Sequence, residues 1–376
     1  MRIDKNTTIR LGDRNIVKIK IGDSVIWQKN SEPVEGPDYF YIESLGDGNT
    51  ISVKNQGNGS TSGVTPTLEY SKDKNTWNTI TFDWTSGTHT TELPIALNTG
   101  EKMYFRNDTR KFSNSYNDYI TFSSSVSSNV GGDIRTLSNY LDVNSETTTQ
   151  TSMFRSLFNN NKYIVDASNL RLPYTTLANY CYSSMFDGCH SLTTAPALPA
   201  TTLAENCYSS MFGSCKSLTT APTLPATTLA SNCYRLMFWG CTSLTTAPEL
   251  PATTLAEYCY YQMFYGCKSL TTTPALPATT LAEYCYSGMF NGCSSLTSAP
   301  VLPATTLSYR CYSSMFNGCR NLNSITVYAN DISATNCTTD WLSGVASSGT
   351  FHNLGTATYA TDSPSGIPSG WTEVKS

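Results

Sequence analysis

The chain has 376 residues, with 24 basic and 28 acidic side chains and a net charge of −4. Only 14% of its residues are charged and 39% are hydrophobic, where an average globular chain has about 25% and 45 to 50%; Ser and Thr fill the gap. So faintly acidic and charge-poor a surface cannot neutralise a run of phosphates, which excludes nucleic acid and anionic membranes as expected partners, while the length allows about two to three domains.

The first 30 residues hold two ten-residue copies, TIRLGDRNIV and KIKIGDSVIW, each with a Gly-Asp turn, at Gly12-Asp13 and Gly22-Asp23, between alternating apolar residues. This pattern predicts a small β-ribbon ending at Trp27. Such a ribbon is seldom stable alone, so Leu11, Ile21, Val25 and Trp27 are its candidate docking residues. The terminus has no apolar run that would make a signal-peptide core, and no later segment approaches the ~18 apolar residues of a membrane span. The expectation is a soluble chain that does not leave by the general secretory route, with its cysteines kept as thiols.

Residues 31–37 (SEPVEGP) read as a linker, with two prolines, a glycine and no periodicity. Residues 38–132 are predicted to be all β, a sandwich of Ig-like or carbohydrate-binding-like type. The short alternating segments YFYIESL, TISVKN, TLEYSKD, WNTITFDW, EKMYFRND and DYITFSS are separated by Gly, Asn and Ser. Tyr70, Trp77, Phe82 and Trp84 are its expected core aromatics.

Beyond residue 171 the chain repeats. Six units of 26 residues begin at Leu172, Leu198, Leu224, Leu250, Leu276 and Leu302 and fill 172–327. Periods of this size with recurrent leucines indicate a solenoid whose coils bury their apolar faces against one another. In the fifth unit Ala282, Cys285, Met289 and Cys293 share a helical face, predicting a short helix that ends at Gly292. Leu296, Ala299 and Leu302 then fall in an extended run that Pro300 and Pro303 keep from being helical. Each coil is therefore drawn as a short helix and a short strand, the strands stacking in parallel at about 4.8 Å. Residues 133–171 form a degenerate N-terminal cap, because SLFNNNKYI (156–164) echoes SMFDGCHSL (184–192) without the cysteines and with a two-residue insertion. Residues 328–376 are the C-terminal cap.

The runs MFDGCHSL, MFWGCTSL, MFYGCKSL, MFNGCSSL and MFNGCRNL, with LPATTLA, resemble the BspA-like leucine-rich repeats of Bacteroidales surface proteins over roughly residues 150–345. Gly213-Ser214 departs from the usual Gly before Cys215, which is expected to alter the local turn and little else. The LGD...IGDSVIW leader, the YSKDKNTW segment and the SGIPSGW tail are similar to proteins of Bacteroidales-infecting phages, including crAss-like phages. The resemblance implies a right-handed α/β leucine-rich-repeat solenoid. It also implies an adhesion or recognition role on a virion, with the leader attached to other virion proteins, the chain homo-oligomeric, and a host surface glycan or protein as partner. A bacterial cell-surface adhesin is the alternative, and a carbohydrate-active enzyme a weaker one.

Twelve of the 13 cysteines are six copies of one C-x7-C pair, and Cys337 stands outside them. That spacing suits two buried ladders rather than zinc, which favours C-x2-C pairs. Only His89, His190 and His352 are present, and none joins a nucleophile and an acid in a motif, so no catalytic residue, metal or cofactor is expected. Asp83, Glu92 and Asp108 could converge in the sandwich as the paired carboxylates of a glycosidase. Thr pairs such as Thr219-Thr220 are expected to form a soluble hydroxyl ladder. The units differ mainly at a few helix-side positions, of which Arg235, Trp239, Tyr258, Tyr261 and Tyr265 make a candidate aromatic binding patch. Neutral drift among solvent positions explains the same variability.

Overall fold

The computed structural model describes residues 38–57, 67–82, 87–107, 119–139, 143, 145, 147 and 150–375, with the backbone of four short strands between 9 and 28. The chain divides into two units, Met1–Asp38 and Tyr39–Ser376. In the first, β1 (Ile9–Leu11) pairs antiparallel with β2 (Arg14–Ile16), and β3 (Lys18–Ile21) with β4 (Ser24–Gln28). Among the described residues these are two two-stranded sheets. Each flanks an expected Gly-Asp turn; the turn residues, and the side chains of Leu11, Ile21, Val25 and Trp27, lie outside the described part.

The second unit is mainly β. A six-stranded sheet has the order β13-β12-β5-β10-β7-β8, where β5 is Phe40–Ser44, β7 Thr67–Ser71, β8 Asn78–Thr81, β10 Lys102–Arg106, β12 Ser128–Asp133 and β13 Ile164–Arg171. A three-stranded sheet has the order β11-β6-β9, with β6 at Ile51–Gly57, β9 at Gly87–Glu92 and β11 at Tyr119–Ser124. Alternation along β5, β7 and β10 buries Phe40, Ile42, Leu68, Tyr70, Met103 and Phe105, as a half-buried strand requires. Ring centroids of Phe122 on β11 lie 4.8 Å from Phe105 and 5.4 Å from Phe40, so the two sheets share this core. Tyr70 and Phe82 are buried in it as expected. Trp77 is not: it is half-buried between the Tyr39 ring at 5.0 Å and the Arg106 guanidinium at 4.0 Å. Trp84 lies outside the described residues.

The six-stranded sheet crosses the boundary expected at 132/133. β12 pairs antiparallel with β5 and parallel with β13, which belongs to the capping segment. Gly132 sits at φ +82°, and a Cβ there would lie 2.7 Å from the Tyr39 carbonyl carbon; only glycine admits both that dihedral and that approach. The buried Asp133 carboxylate then pairs with Arg135 at 2.7 Å and Arg171 at 3.3 Å, joining the ends of β12 and β13. Phe158 of the cap enters the strand-domain core, 5.9 Å from Phe40, and Phe122 N–H donates to the Leu157 carbonyl at 2.7 Å.

Within the repeats the expected helices are absent. Among the described residues the only α-helix is α1, Thr136–Asn139. The apolar spacing has a strict period of four (Cys285, Met289, Cys293), and every fourth backbone is left-handed: Tyr284 at φ 54°, Gly288 at 62° and Gly292 at 75°. No α-helix accommodates that dihedral. Instead each such segment is a run of turns whose amides alternate in direction. Met211 and Cys215 N–H donate three residues back, to Tyr208 and Phe212; Tyr208, Ser210 and Phe212 N–H donate forward to Cys233, Arg235 and Met237 of the next unit, at 2.8 to 3.0 Å. A helix would have spent all its amides internally, whereas this arrangement sends every second one to a neighbouring repeat.

The side chains stack in the same register. Tyr182, Tyr208, Tyr234, Tyr260, Tyr286 and Tyr312 form one buried column with ring centroids 5.7 to 6.1 Å apart. Phe186, Phe212, Phe238, Phe264, Phe290 and Phe316 form another. On the opposite edge the expected strand ladder is reduced to isolated parallel bridges such as Thr220↔Thr246 and Thr228↔Thr254, because the prolines of each unit supply no N–H. Both members of Thr219-Thr220 are exposed, and hydroxyls of the first-of-pair column stitch units together, Thr245 Oγ1 donating to the Thr219 carbonyl at 3.4 Å and Thr271 Oγ1 to the Thr245 carbonyl at 3.3 Å.

The stacking outlasts the recognisable repeats at both ends. In the cap, Phe158 N–H donates to Met185 at 2.8 Å, two residues beyond the usual offset, as the insertion requires. At the other end Cys337 is not an outsider: Tyr312 N–H donates to its carbonyl at 2.9 Å, and Asn336, Asp340 and Gly344 repeat the left-handed period, making a seventh coil. A parallel sheet of β14 (Val301–Leu302), β15 (Ser324–Val327), β16 (Gly349–Asn353) and β17 (Trp371–Lys375) closes the extended edge. Trp341 Nε1 donating to the Gly366 carbonyl at 3.0 Å closes the turn edge.

Candidate functional site

All thirteen cysteines are buried and no disulfide is formed among the described residues, and the second of each pair has a specific partner. The thiols of Cys189, Cys215, Cys241, Cys267, Cys293 and Cys319 donate to the carbonyls of Phe158, Phe186, Phe212, Phe238, Phe264 and Phe290, at 3.0 to 3.2 Å. Burial pushes the Cys207, Cys259, Cys311 and Cys319 thiols up to about 12, and a thiol held protonated is neither nucleophile nor ligand. No group of His, Cys, Asp or Glu among the described residues could hold a metal ion. His190 is exposed and Glu92 stands exposed on β9; Asp83 and Asp108 lie outside the described part.

The variable surface positions carry the chemistry that remains. Tyr258 and Tyr284, one repeat apart, stack with centroids 4.3 Å apart and planes 14° from parallel. Tyr258 meets Tyr261 edge-on at 5.5 Å, and Tyr284 meets Tyr309 edge-on at 5.2 Å. Arg235 lies over Tyr261 at 5.6 Å, and Arg310 over Tyr309 and Tyr284 at 5.5 and 5.7 Å. The result is one row across four consecutive units, with a guanidinium at each end. The hydrogen bond that Tyr309 donates to Tyr284 raises the pKa of the Tyr309 hydroxyl above its ordinary value.

Of the five expected patch residues, the row therefore contains Arg235, Tyr258 and Tyr261. Tyr265 is 41% exposed in a neighbouring column, and among the described residues no ring contact joins Trp239 to Tyr261 or Tyr265. Sequence reasoning did not assign Tyr284, Tyr309 and Arg310 to the patch. The structure shows what sets two of them apart: like Tyr258 (56°), Tyr284 (54°) and Arg310 (51°) occupy the left-handed residue two before the buried tyrosine, where other units place Asn206, Asn232 and Asn336, and the first unit Tyr180. Asn tolerates that conformation, whereas a bulky side chain pays about 1 kcal/mol or more of strain.

Trp239 is engaged elsewhere. A Cβ on Gly213 would lie 2.7 Å from both Trp239 Cδ1 and Asp187 Oδ1, so the indole lies over the Gly213 backbone, beside the Asp187 carboxylate. The Gly213-Ser214 departure is consequently more than a local turn adjustment. Ser214 takes the left-handed dihedral (φ 54°) that Gly240 and Gly266 hold in later units, and the glycine moves back one residue to seat Trp239. Burial beneath this cover lifts the Asp187 carboxyl to about 6.

The hollows among the described residues are open. One of about 380 Å³ lies between Pro274, Pro277, Pro300 and Pro303, and one of about 320 Å³ in the C-terminal cap is lined by Cys337, Thr338 and Tyr359. Compared with models of protein families, with curated protein sequences and with solved structures, the chain matches none. No helix among the described residues is long and apolar enough to cross a membrane.

Proposed function

We propose that the protein is a non-enzymatic adhesion component of a phage particle, binding a host surface glycan or protein through its repeats. On this reading residues 172–353 are a leucine-rich-repeat solenoid of unusual, helix-free coils. Residues 39–133 are a β-sandwich that carries the solenoid, and the two N-terminal hairpins attach to other virion proteins in an oligomeric assembly. The observation that carries the reading is the tyrosine and arginine row: four successive repeats bring four Tyr and two Arg side chains into mutual contact. The side chains of the repeat interior are occupied by packing, and the burial of the thiols leaves little for catalysis. Many copies on one particle would turn a weak contact into avidity.

The test is location. Mass spectrometry and immunogold labelling of purified particles from Bacteroidales cultures are expected to find the chain on virions. Detection on uninfected cells instead, with none on particles, would replace this reading with a bacterial adhesin.

A further inference from the structure

We infer that the row running from Arg235 through Tyr261, Tyr258 and Tyr284 to Tyr309 and Arg310 is the binding site, and that its partner is a protein surface bearing carboxylates rather than a glycan. The inference rests on the adhesion reading and deepens it.

Two observations carry it. The first is conformational. Tyr258, Tyr284 and Arg310 hold left-handed backbones, at φ 56°, 54° and 51°, in a column that Asn206, Asn232 and Asn336 also occupy, with Tyr180 the one bulky residue of that column outside the row. Positions free to drift would relax toward Asn or Gly, the residues that this dihedral admits without strain. Bulky residues at strained positions, brought together in consecutive repeats, are a recurrent mark of a functional surface.

The second is the use of the rings. A sugar binds an aromatic side chain by lying on its face. Here the facing surfaces of Tyr258 and Tyr284 are closed against each other at 4.3 Å, and guanidinium groups lie over Tyr261, Tyr284 and Tyr309. Each of the six side chains is half-buried, so a partner meets ring edges and polar tips more than open ring faces. Tyr and Arg presented in this way are the residues that dominate protein–protein contacts. The two guanidiniums stand three repeats apart, one at each end of the row, where carboxylates of the partner would pair with them.

The full chain, fluorescently labelled, is titrated onto a panel of Bacteroidales cells left untreated, oxidised with periodate to destroy sugar diols, or shaved with proteinase K. The double variant Tyr258→Asn with Tyr284→Asn, and separately Arg235→Gln with Arg310→Gln, are compared with the parent chain. The expected result is binding to untreated and periodate-treated cells and loss after proteinase K. Each double variant should weaken binding about ten-fold or more, and the Asn pair should melt no lower than the parent. Parent-like binding by both double variants overturns the site, and binding lost to periodate but not to proteinase K overturns the protein partner. If the parent chain binds no cells of the panel, the adhesion reading fails and this inference with it.

Discussion

The indole of Trp239 occupies the space where a side chain on Gly213, one repeat earlier, would stand. Two residues of different units are thus coupled, and a third, Ser214, takes the left-handed dihedral that the displaced glycine would otherwise hold. Gly213→Ala is expected to destabilise the protein by about 1–3 kcal/mol through overpacking. Adding Trp239→Ala should recover much of that loss. A double-mutant cycle by urea denaturation checks it, and additive losses would count against the coupling.

Asp187, beside that indole, carries a carboxyl lifted by burial from near 3.8 to about 6. The folded state holds this proton more tightly than the unfolded chain. Its contribution is therefore fully present below about pH 4 and is lost as the pH rises through about 6. Asp187→Asn is expected to stabilise by about 1–2 kcal/mol at pH 7.5, a figure reduced for the carboxyl's remaining contact with water, and to change nothing at pH 4. Denaturation midpoints at the two pH values decide it, and an equal shift at both would refute the titration.

Tyr208, Tyr234 and Tyr286 bury hydroxyls that have no hydrogen-bond partner. An unpaired buried hydroxyl costs about 1–3 kcal/mol, and phenylalanine would keep the stacked column intact. Tyr234→Phe should therefore raise stability by about 1 kcal/mol. A loss of stability in thermal unfolding would mean that the hydroxyl is bound after all.

Thiols buried and pushed up to about 12, as at Cys207 and Cys259, react slowly with disulfide reagents at pH 8. The native protein is expected to yield almost no fast-reacting thiol, and the unfolded protein all 13. Cys337, which lines the hollow of the C-terminal cap, should be labelled first. Peptide mapping after brief alkylation identifies it, and early labelling of Cys241 or Cys267 would contradict the closed ladder.

The 26-residue period, the two-residue insertion in the cap and the burial of the paired cysteines were all legible in the sequence, because burial imposes the same residue type at the same place in every coil. The secondary structure of the coil was not. Cys285, Met289 and Cys293 fit a helical face and a run of turns about equally well; what separates the two is the dihedral of Tyr284, Gly288 and Gly292, and a tyrosine gives no warning of a left-handed backbone. Cys337 stood apart because Trp341 and Leu342 replace the Met-Phe pair around which the repeats are recognised, although its offset of 26 from Cys311 was there to be counted. For the candidate site, residue types pointed to Arg235, Tyr258 and Tyr261. Which rings touch depends on side-chain directions across units, and those separated Trp239 from the row and brought in Tyr284, Tyr309 and Arg310.

The amides that alternate between their own turn and the next coil also have a mechanical meaning. A pull along the stack loads the few bonds between the terminal coil and its neighbour before it reaches the rest, so coils would peel off singly instead of shearing together. Each released coil frees 26 residues of chain, about 90 Å when extended. Such a stack would lengthen in steps under load while the repeats still stacked kept their shape.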